Sequence, residues 1–391
     1  MDKNKKNIEI QFLRVIAIVM VLMMHAAAGM FNPYAETYNK IVLAFIHPAV
    51  GVDIFFVISG YLMGVTFLGK TADVKDMSEK ISLTSKFYLR RFWRLFPASF
   101  FWATLTLIVG LISTDTTGIW FDSKLYMYKA WVASVLCFRN FLESLHATHL
   151  GYYWSLSLEN QFYLLLPIAW FFLLRKWFWK VAGLLCVLCI FWRPGGSAWW
   201  FFRFDGLLMG MIIYKLTSLE AFRNAVRLIS PETRIGKILM TSFLCLAIPS
   251  VPNSIGAYPS LTWSIVALLS SILVCQAVLN EGYIYIPTFL TRPIYWFGEF
   301  SYAIYLCHLP VFFLFKDIIQ HYVNPDGRPY LMLITGITEL IAMFLCAALT
   351  YWGIEQPCQK IGYKKLKQGV NNKTTITTKE TAHVESIIVV H

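Results

Sequence analysis

Apolar runs long enough to cross a hydrocarbon layer alternate with short polar segments along the chain. A bilayer core about 30 Å thick needs roughly 20 apolar residues per helix. On that measure the pattern predicts spans at approximately 8–28, 48–68, 95–114, 152–174, 181–193, 199–216, 237–252, 262–280, 294–315 and 331–353. The expected architecture is an all-α, polytopic membrane helix bundle of about ten transmembrane helices. Residues 115–151 interrupt the rhythm, because Ala130–Cys137 is apolar but too short to cross. That segment is expected to be a long outer loop with an interfacial or re-entrant piece. Residues 361–391 are polar, with Lys364 and Lys365 ahead of a Thr-rich stretch, and are expected to form a disordered tail. This leaves 1–360 as one membrane domain.

Composition supports the pattern. The chain of 391 residues is 57% hydrophobic and only 14% charged, whereas soluble domains carry about 25% charged residues. The net charge of +12 is spread over several short segments instead of one patch, which argues against a nucleic-acid partner. Basic residues concentrate near the N-terminus and in 69–94, 175–180 and 215–237, and are sparser in the intervening loops. By the positive-inside rule this puts both termini in the cytoplasm. Lys3–Lys6, an apolar stretch and Ala26-Ala27-Ala28 resemble a secretory signal, but Glu9, Gln11 and Arg14 interrupt the start of the apolar stretch. Most of the eight cysteines lie inside apolar runs and read as small core residues. Cys186-x-x-Cys189 has no second ligand pair nearby, so no metal site is expected.

Ionisable residues within spans cost roughly 2.5–3.5 kcal/mol each on insertion scales, so their positions carry information. Arg14 and His25 are eleven residues apart, which on a helix puts them within about 20° of one face and about 16 Å apart along the axis. Ser155, Glu159 and Tyr163 follow i, i+4, i+8 spacing and form one polar stripe, with Glu159 expected at a depth similar to His25. Ser59-Gly60 reads as a close-packing point. Arg90, Arg91 and Arg94 lie directly before the expected third span. Anionic lipid would satisfy such a cluster, as would the phosphates of a nucleotide-like cofactor, since guanidinium forks bind phosphate bidentately. Ser301, Tyr305 and His308 recur at i, i+4, i+7 in the ninth span. Each of these polar groups could equally serve interhelical hydrogen bonding.

Several of these motifs, in this order, resemble the acyltransferase-3 family of bacterial membrane acyltransferases over about 1–360. They are Leu13-Arg14 with His25, Gly51–Leu62, Arg90–Pro97, Trp154–Tyr163, Arg203 with Gly206 and Gly210, Ser301–His308, and Ile354-Glu355-Gln356-Pro357. The resemblance implies ten spans and transfer of an acyl group from cytoplasmic acyl-CoA, acetyl-CoA above all, used as a co-substrate with no tightly bound cofactor. It implies an acceptor hydroxyl on a cell-surface or lipid-linked carbohydrate such as O-antigen or exopolysaccharide, and a place in the bacterial inner membrane among its lipids. On this reading Arg90, Arg91 and Arg94 hold the donor phosphates. His25 is the general base or a transient acyl carrier, Glu159 orients it or the acceptor, and Arg14 stabilises donor charge. Ser155, Tyr163, Arg203, Tyr305 and His308 are the expected substrate contacts. Asp53 before the Phe-Phe pair, and Gln356 where an Arg is common, depart from the family pattern. The chain has no room after residue 360 for the fused esterase-like domain that some relatives carry. A transporter or flippase for a lipid-linked glycan or small anion is the main rival, as is a scaffold. Internal pseudo-symmetry would favour the transporter, and the sequence has none at the residue level.

Overall fold

Hydrocarbon offers no water to pair with backbone N–H and C=O groups, so a chain that crosses it closes those bonds within each segment. The computed structural model describes residues 7–29, 35–112, 124–143, 150–173, 176–192, 203–323 and 328–366, and every regular element among them is helical. The main helices are α1 (Ile8–Gly29), α2 (Ala35–Phe45), α3 (Gly51–Met63), α4 (Met77–Ile112), α5 (Lys124–Val135), α6 (Arg139–Glu143) and α7 (Tyr153–Ile168). They continue with α8 (Phe178–Phe191), α9 (Asp205–Leu216), α10 (Glu220–Ile229), α11 (Arg234–Ile255), α12 (Pro259–Leu279), α13 (Thr291–Tyr322) and α14 (Pro329–Thr350). Single π-helical turns extend α3 through Gly64–Leu68, α7 through Ala169–Leu173 and α14 through Tyr351–Glu355.

Seven helical segments among the described residues are long and apolar enough to cross a membrane, which makes this a multi-pass membrane protein. They contain α1, α3, α4, α11, α12, α13 and α14. The other three expected spans are helical but different in kind. The α7 segment opens on polar residues, while α8 and α9 have 14 and 12 residues, or about 21 and 18 Å of rise, less than the hydrocarbon thickness. Of the expected span 199–216, residues 199–202 lie outside the described residues. In the other direction, α4 has 36 residues and runs far beyond the expected 95–114, because hydropathy reports the hydrocarbon slab and not the helix. The last helical stretch continues to Leu366, which corrects the expected tail boundary at residue 361. The rest of that tail, 367–391, lies outside the described residues. Of the expected outer loop 115–151, residues 115–123 and 144–149 lie outside the described residues, and the rest holds the 12-residue helix α5, packed on α4.

The polar residues that interrupt the start of α1 anchor it. Asn7 Oδ1 accepts from the backbone N–H groups of Glu9 at 2.9 Å and Ile10 at 3.2 Å, capping the helix. Its amide donates to the Ala277 carbonyl at 2.6 Å. The buried Glu9 carboxylate accepts from Gly282 and Ile284 N–H at 2.9 and 3.0 Å. This end of α1 is therefore tied to the chain just beyond α12, and the helix packs along α3 and α13.

The closest helix approach is between α3 and α9. A Cβ on Gly60 would stand 2.0 Å from the Leu207 carbonyl oxygen, and one on Gly210 would stand 2.1 Å from that of Val57. Backbone meets backbone there, so neither side can yield by rotating a side chain. Gly210→Ala should destabilise the bundle by about 1–3 kcal/mol through overpacking. Gly183→Ala, where a Cβ meets nothing within 4 Å, should leave stability unchanged or slightly raised. Thermal unfolding in detergent, followed by fluorescence-detected gel filtration, compares the two.

Candidate functional site

Helices α1, α3, α4, α7 and α13 enclose a cavity whose polar lining is Arg14, Ser59, Arg91, Arg94, Ser155, Glu159, Tyr163, Ser301, Tyr302 and Tyr305. The stripe predicted on α7 faces it, because Ser155, Glu159 and Tyr163 share one side of that helix. Arg90, Arg91 and Arg94 lie in the part of α4 that precedes the apolar stretch expected at 95–114. Arg91 and Arg94, three residues apart, face the cavity, whereas all three arginines line an adjoining vestibule with Lys70, Trp93, Gln359 and Tyr363. A second vestibule, lined by Gln11, Arg14, Arg94, Glu299, Glu355 and Tyr363 among others, opens beside it. Arg94 borders all three spaces. One vestibule wall is the extension of α14, held against Trp93 by Gly362, where a Cβ would stand 2.8 Å from the Trp93 Cβ.

The cavity wall is a connected polar network. The Glu159 carboxylate accepts from the hydroxyls of Ser59 and Tyr163. Arg91 donates to the Tyr163 oxygen at 3.2 Å and lies over the same ring, 4.4 Å from its centroid. A second guanidinium N–H of Arg91 reaches the Thr66 hydroxyl at 3.4 Å. Arg14 donates to the Gln11 side-chain oxygen at 3.4 Å. At the other end Ser155 and Tyr305 pair at 2.5 Å, and the Tyr305 hydroxyl donates to the Tyr152 carbonyl at 2.8 Å. Glu159 can thus counter the Arg91 charge through one intervening hydroxyl, which lowers the cost of keeping both in a dry interior.

His25 and His308 do not line this cavity. They meet each other beyond its Ser155–Tyr305 end, with ring centroids 5.2 Å apart. Level with them is Tyr152, the residue just before α7, whose ring stands edge-on 5.2 Å from His308. Glu159, seven residues further along, lies about 10 Å deeper towards Arg91. This corrects the expectation that Glu159 and His25 share a depth. Helix periodicity fixes which residues of α7 face inward but not how α7 registers against α1.

Arg203 is also separate from the cavity. It pairs with Asp53 at 3.0 Å, both side chains being 2% exposed or less. The Arg203 guanidinium lies 4.6 Å from the Trp154 ring centroid and 4.1 Å from that of Trp263. Asp53, the residue that departs from the family pattern, thus answers a buried guanidinium. Sequence reasoning missed Ser59 as a functional group, since Gly60 packs against α9 as expected while Ser59, one position earlier, turns to Glu159. Thr66 was equally hidden, because it sits in a π-helical turn that shifts the helical phase. Among the described residues no three His, Cys, Asp or Glu side chains gather closely enough to hold a metal ion.

A cationic vestibule thus opens into a cavity within the helix bundle, with two imidazoles beyond its far end. The chain belongs to the acyltransferase-3 family: the profile described as "Acyltransferase domain" matches residues 7–353. Similar proteins include the peptidoglycan O-acetyltransferase OatA of Listeria monocytogenes, 26% identical over 83% of this chain and 53% of the relative. The O-acetyltransferase OatA of Staphylococcus aureus is 24% identical over 81% and 53%. The putative peptidoglycan O-acetyltransferase YrhL of Bacillus subtilis is 26% identical over 82% and 52%. The chain spans about half the length of these relatives. No solved structure matches it.

Removing one partner of a buried ion pair leaves the other charge uncompensated, at a cost of about 3–5 kcal/mol. Asp53→Asn should therefore lower the unfolding temperature sharply. The double variant Asp53→Leu, Arg203→Met should recover much of the loss, and thermal shift in detergent measures both.

Proposed function

We propose that this chain is a bacterial inner-membrane O-acetyltransferase that carries an acetyl group from cytoplasmic acetyl-CoA to a hydroxyl of a cell-surface or lipid-linked carbohydrate. The observation that carries the reading is the continuity of vestibule and cavity. Arg94 borders each space in turn, and the cavity stops at the Ser155–Tyr305 pair beside His25 and His308. Arg90, Arg91 and Arg94 take the donor phosphates, and Arg14 adds charge where vestibule and cavity join. The pantetheine arm lies along the Glu159 wall, and the thioester comes to rest by His25, which takes the proton from the acceptor hydroxyl. The acceptor is O-antigen, exopolysaccharide or, following the names of the relatives, peptidoglycan. Ten spans and cytoplasmic termini accompany this reading, since they put the arginines on the side where CoA is found. Arg203 reaches this site only through Trp154, whose ring packs edge-on against Phe56 of the cavity lining.

General-base loss typically costs about 10² to 10⁴ in rate. His25→Ala should lose transfer by that order while keeping wild-type monodispersity and coenzyme A binding, because removing an imidazole from a span lowers its insertion cost. Mass spectrometry of acetylated glycan after incubation with purified protein and acetyl-CoA reads the result, and undiminished transfer would remove His25 from the chemistry.

Replacing Arg90, Arg91 and Arg94 together by Gln should weaken coenzyme A binding at least about tenfold, since hydrogen bonds to charged groups contribute about 1.5–3 kcal/mol each. Isothermal titration on the folded triple variant is the measurement. Unchanged affinity would return the cluster to lipid anchoring.

A further inference from the structure

His308 is fully buried. Its Nδ1 stands 2.7 Å from the Tyr305 carbonyl oxygen. A carbonyl can only accept, so Nδ1 carries the hydrogen, and in a neutral ring Nε2 is left presenting a lone pair. That Nε2 is buried and has no hydrogen-bond partner. Nearby hydroxyls are committed elsewhere: Tyr152 donates to the Leu306 carbonyl at 2.8 Å, and Tyr305 to the Tyr152 carbonyl at 2.8 Å. The Cys307 thiol is directed at the backbone carbonyls of Ile304 and Met343. Phe312 closes a further side edge-on. The remaining ring beside His308 is His25, tilted by 48° at 5.2 Å between centroids. Imidazole nitrogens lie about 1.2 Å from the ring centre, so a modest rotation brings facing nitrogens to about 3 Å, within hydrogen-bond range.

We propose that His308 is a positioning residue whose Nε2 accepts a hydrogen bond from the imidazolium that His25 becomes during acyl transfer. The inference rests on the acetyl-transfer reading given above. In the step, the acceptor O–H proton passes to one ring nitrogen of His25 while the hydroxyl oxygen bonds the thioester carbonyl carbon. The carbon–sulfur bond then breaks, and the thiolate leaving group takes the proton back from His25. Between those events His25 carries two N–H groups and a positive charge, and the N–H not facing substrate has His308 Nε2 before it. The N–H is already present on neutral His25, and the bond strengthens as the charge forms, so it stabilises the transition state more than the ground state. A neutral imidazole does this without adding a permanent ion to the interior. Glu159 is too deep to serve, being engaged by Ser59 and Tyr163.

The test is a double-mutant cycle on the purified full chain in lipid nanodiscs, with acetyl-CoA as donor. His308→Phe should lower kcat on the order of 10²-fold with KM for acetyl-CoA unchanged. His308→Gln should retain more activity, because its amide N–H can serve the Tyr305 carbonyl while its oxygen accepts. The variant lacking both imidazoles, His25→Ala with His308→Phe, should be no slower than His25→Ala alone. Fully additive losses, or a rise in KM in place of the fall in kcat, would overturn the proposal. If His308→Phe does not fold, His308→Gln supplies the cycle. Nitrogen-15 NMR of histidine-labelled wild-type protein gives a reading without turnover, and a His308 ring protonated at Nε2 would equally overturn it. Wild-type protein that transfers no acetyl group would instead sink the acetyl-transfer reading and the proposal with it.

Discussion

Inside hydrocarbon, a polar side chain without a partner costs several kcal/mol, and a lone charge costs more. That constraint accounts for most of the specific geometry in this bundle. Glu9 is held by two backbone N–H groups, Asp53 by Arg203, and Glu159 by two hydroxyls, one of which also accepts from Arg91. Apart from Tyr163, which shares α7 with Glu159, each answer comes from a different helix or loop. The polar contacts therefore fix which segments are neighbours and in what register, which lipid-facing apolar surface cannot do because Leu packs as well against lipid as against Leu.

The same constraint separates two kinds of buried charge. Asp53 and Arg203 neutralise each other directly, flanked by Trp154 and Trp263, and leave nothing free for a ligand to recognise. Arg14 and Arg94 are different, because they border open spaces and have room for an anionic guest. The glycines work with this division. Gly60 and Gly210 bring α3 and α9 into backbone contact, and that contact aims Ser59, one position from Gly60, into the cavity.

The inward face of each long helix was legible in the sequence. Polar residues at i, i+4, i+8 in an apolar run can only share one side, and Ser155, Glu159 and Tyr163 do line one cavity. Cross-helix register was not legible, because nothing in a one-dimensional pattern says how far one helix slides along another. That is why Glu159 stands nearer Arg91 than His25. Helix ends were obscured for a related reason: hydropathy follows the lipid, whereas α4 continues beyond it as a charged helix bearing the arginines. Thr66 was hidden by a π-helical turn, which shifts the phase by which inward positions are counted. The short α8 and α9 read as spans because their composition is apolar, yet they pack within the bundle on α12 and α3 at less than membrane length.

The seam between Gly362 and Trp93 has a bearing on biogenesis. Membrane segments are made in order from the N-terminus, so α4 with its three arginines is synthesised long before the strip of chain that walls the vestibule. Throughout the interval the pocket has only part of its boundary. That side is walled only when Gly362 settles against Trp93. In the nascent protein the arginine-lined vestibule is thus incomplete until the extension of α14 is made and packs against Trp93.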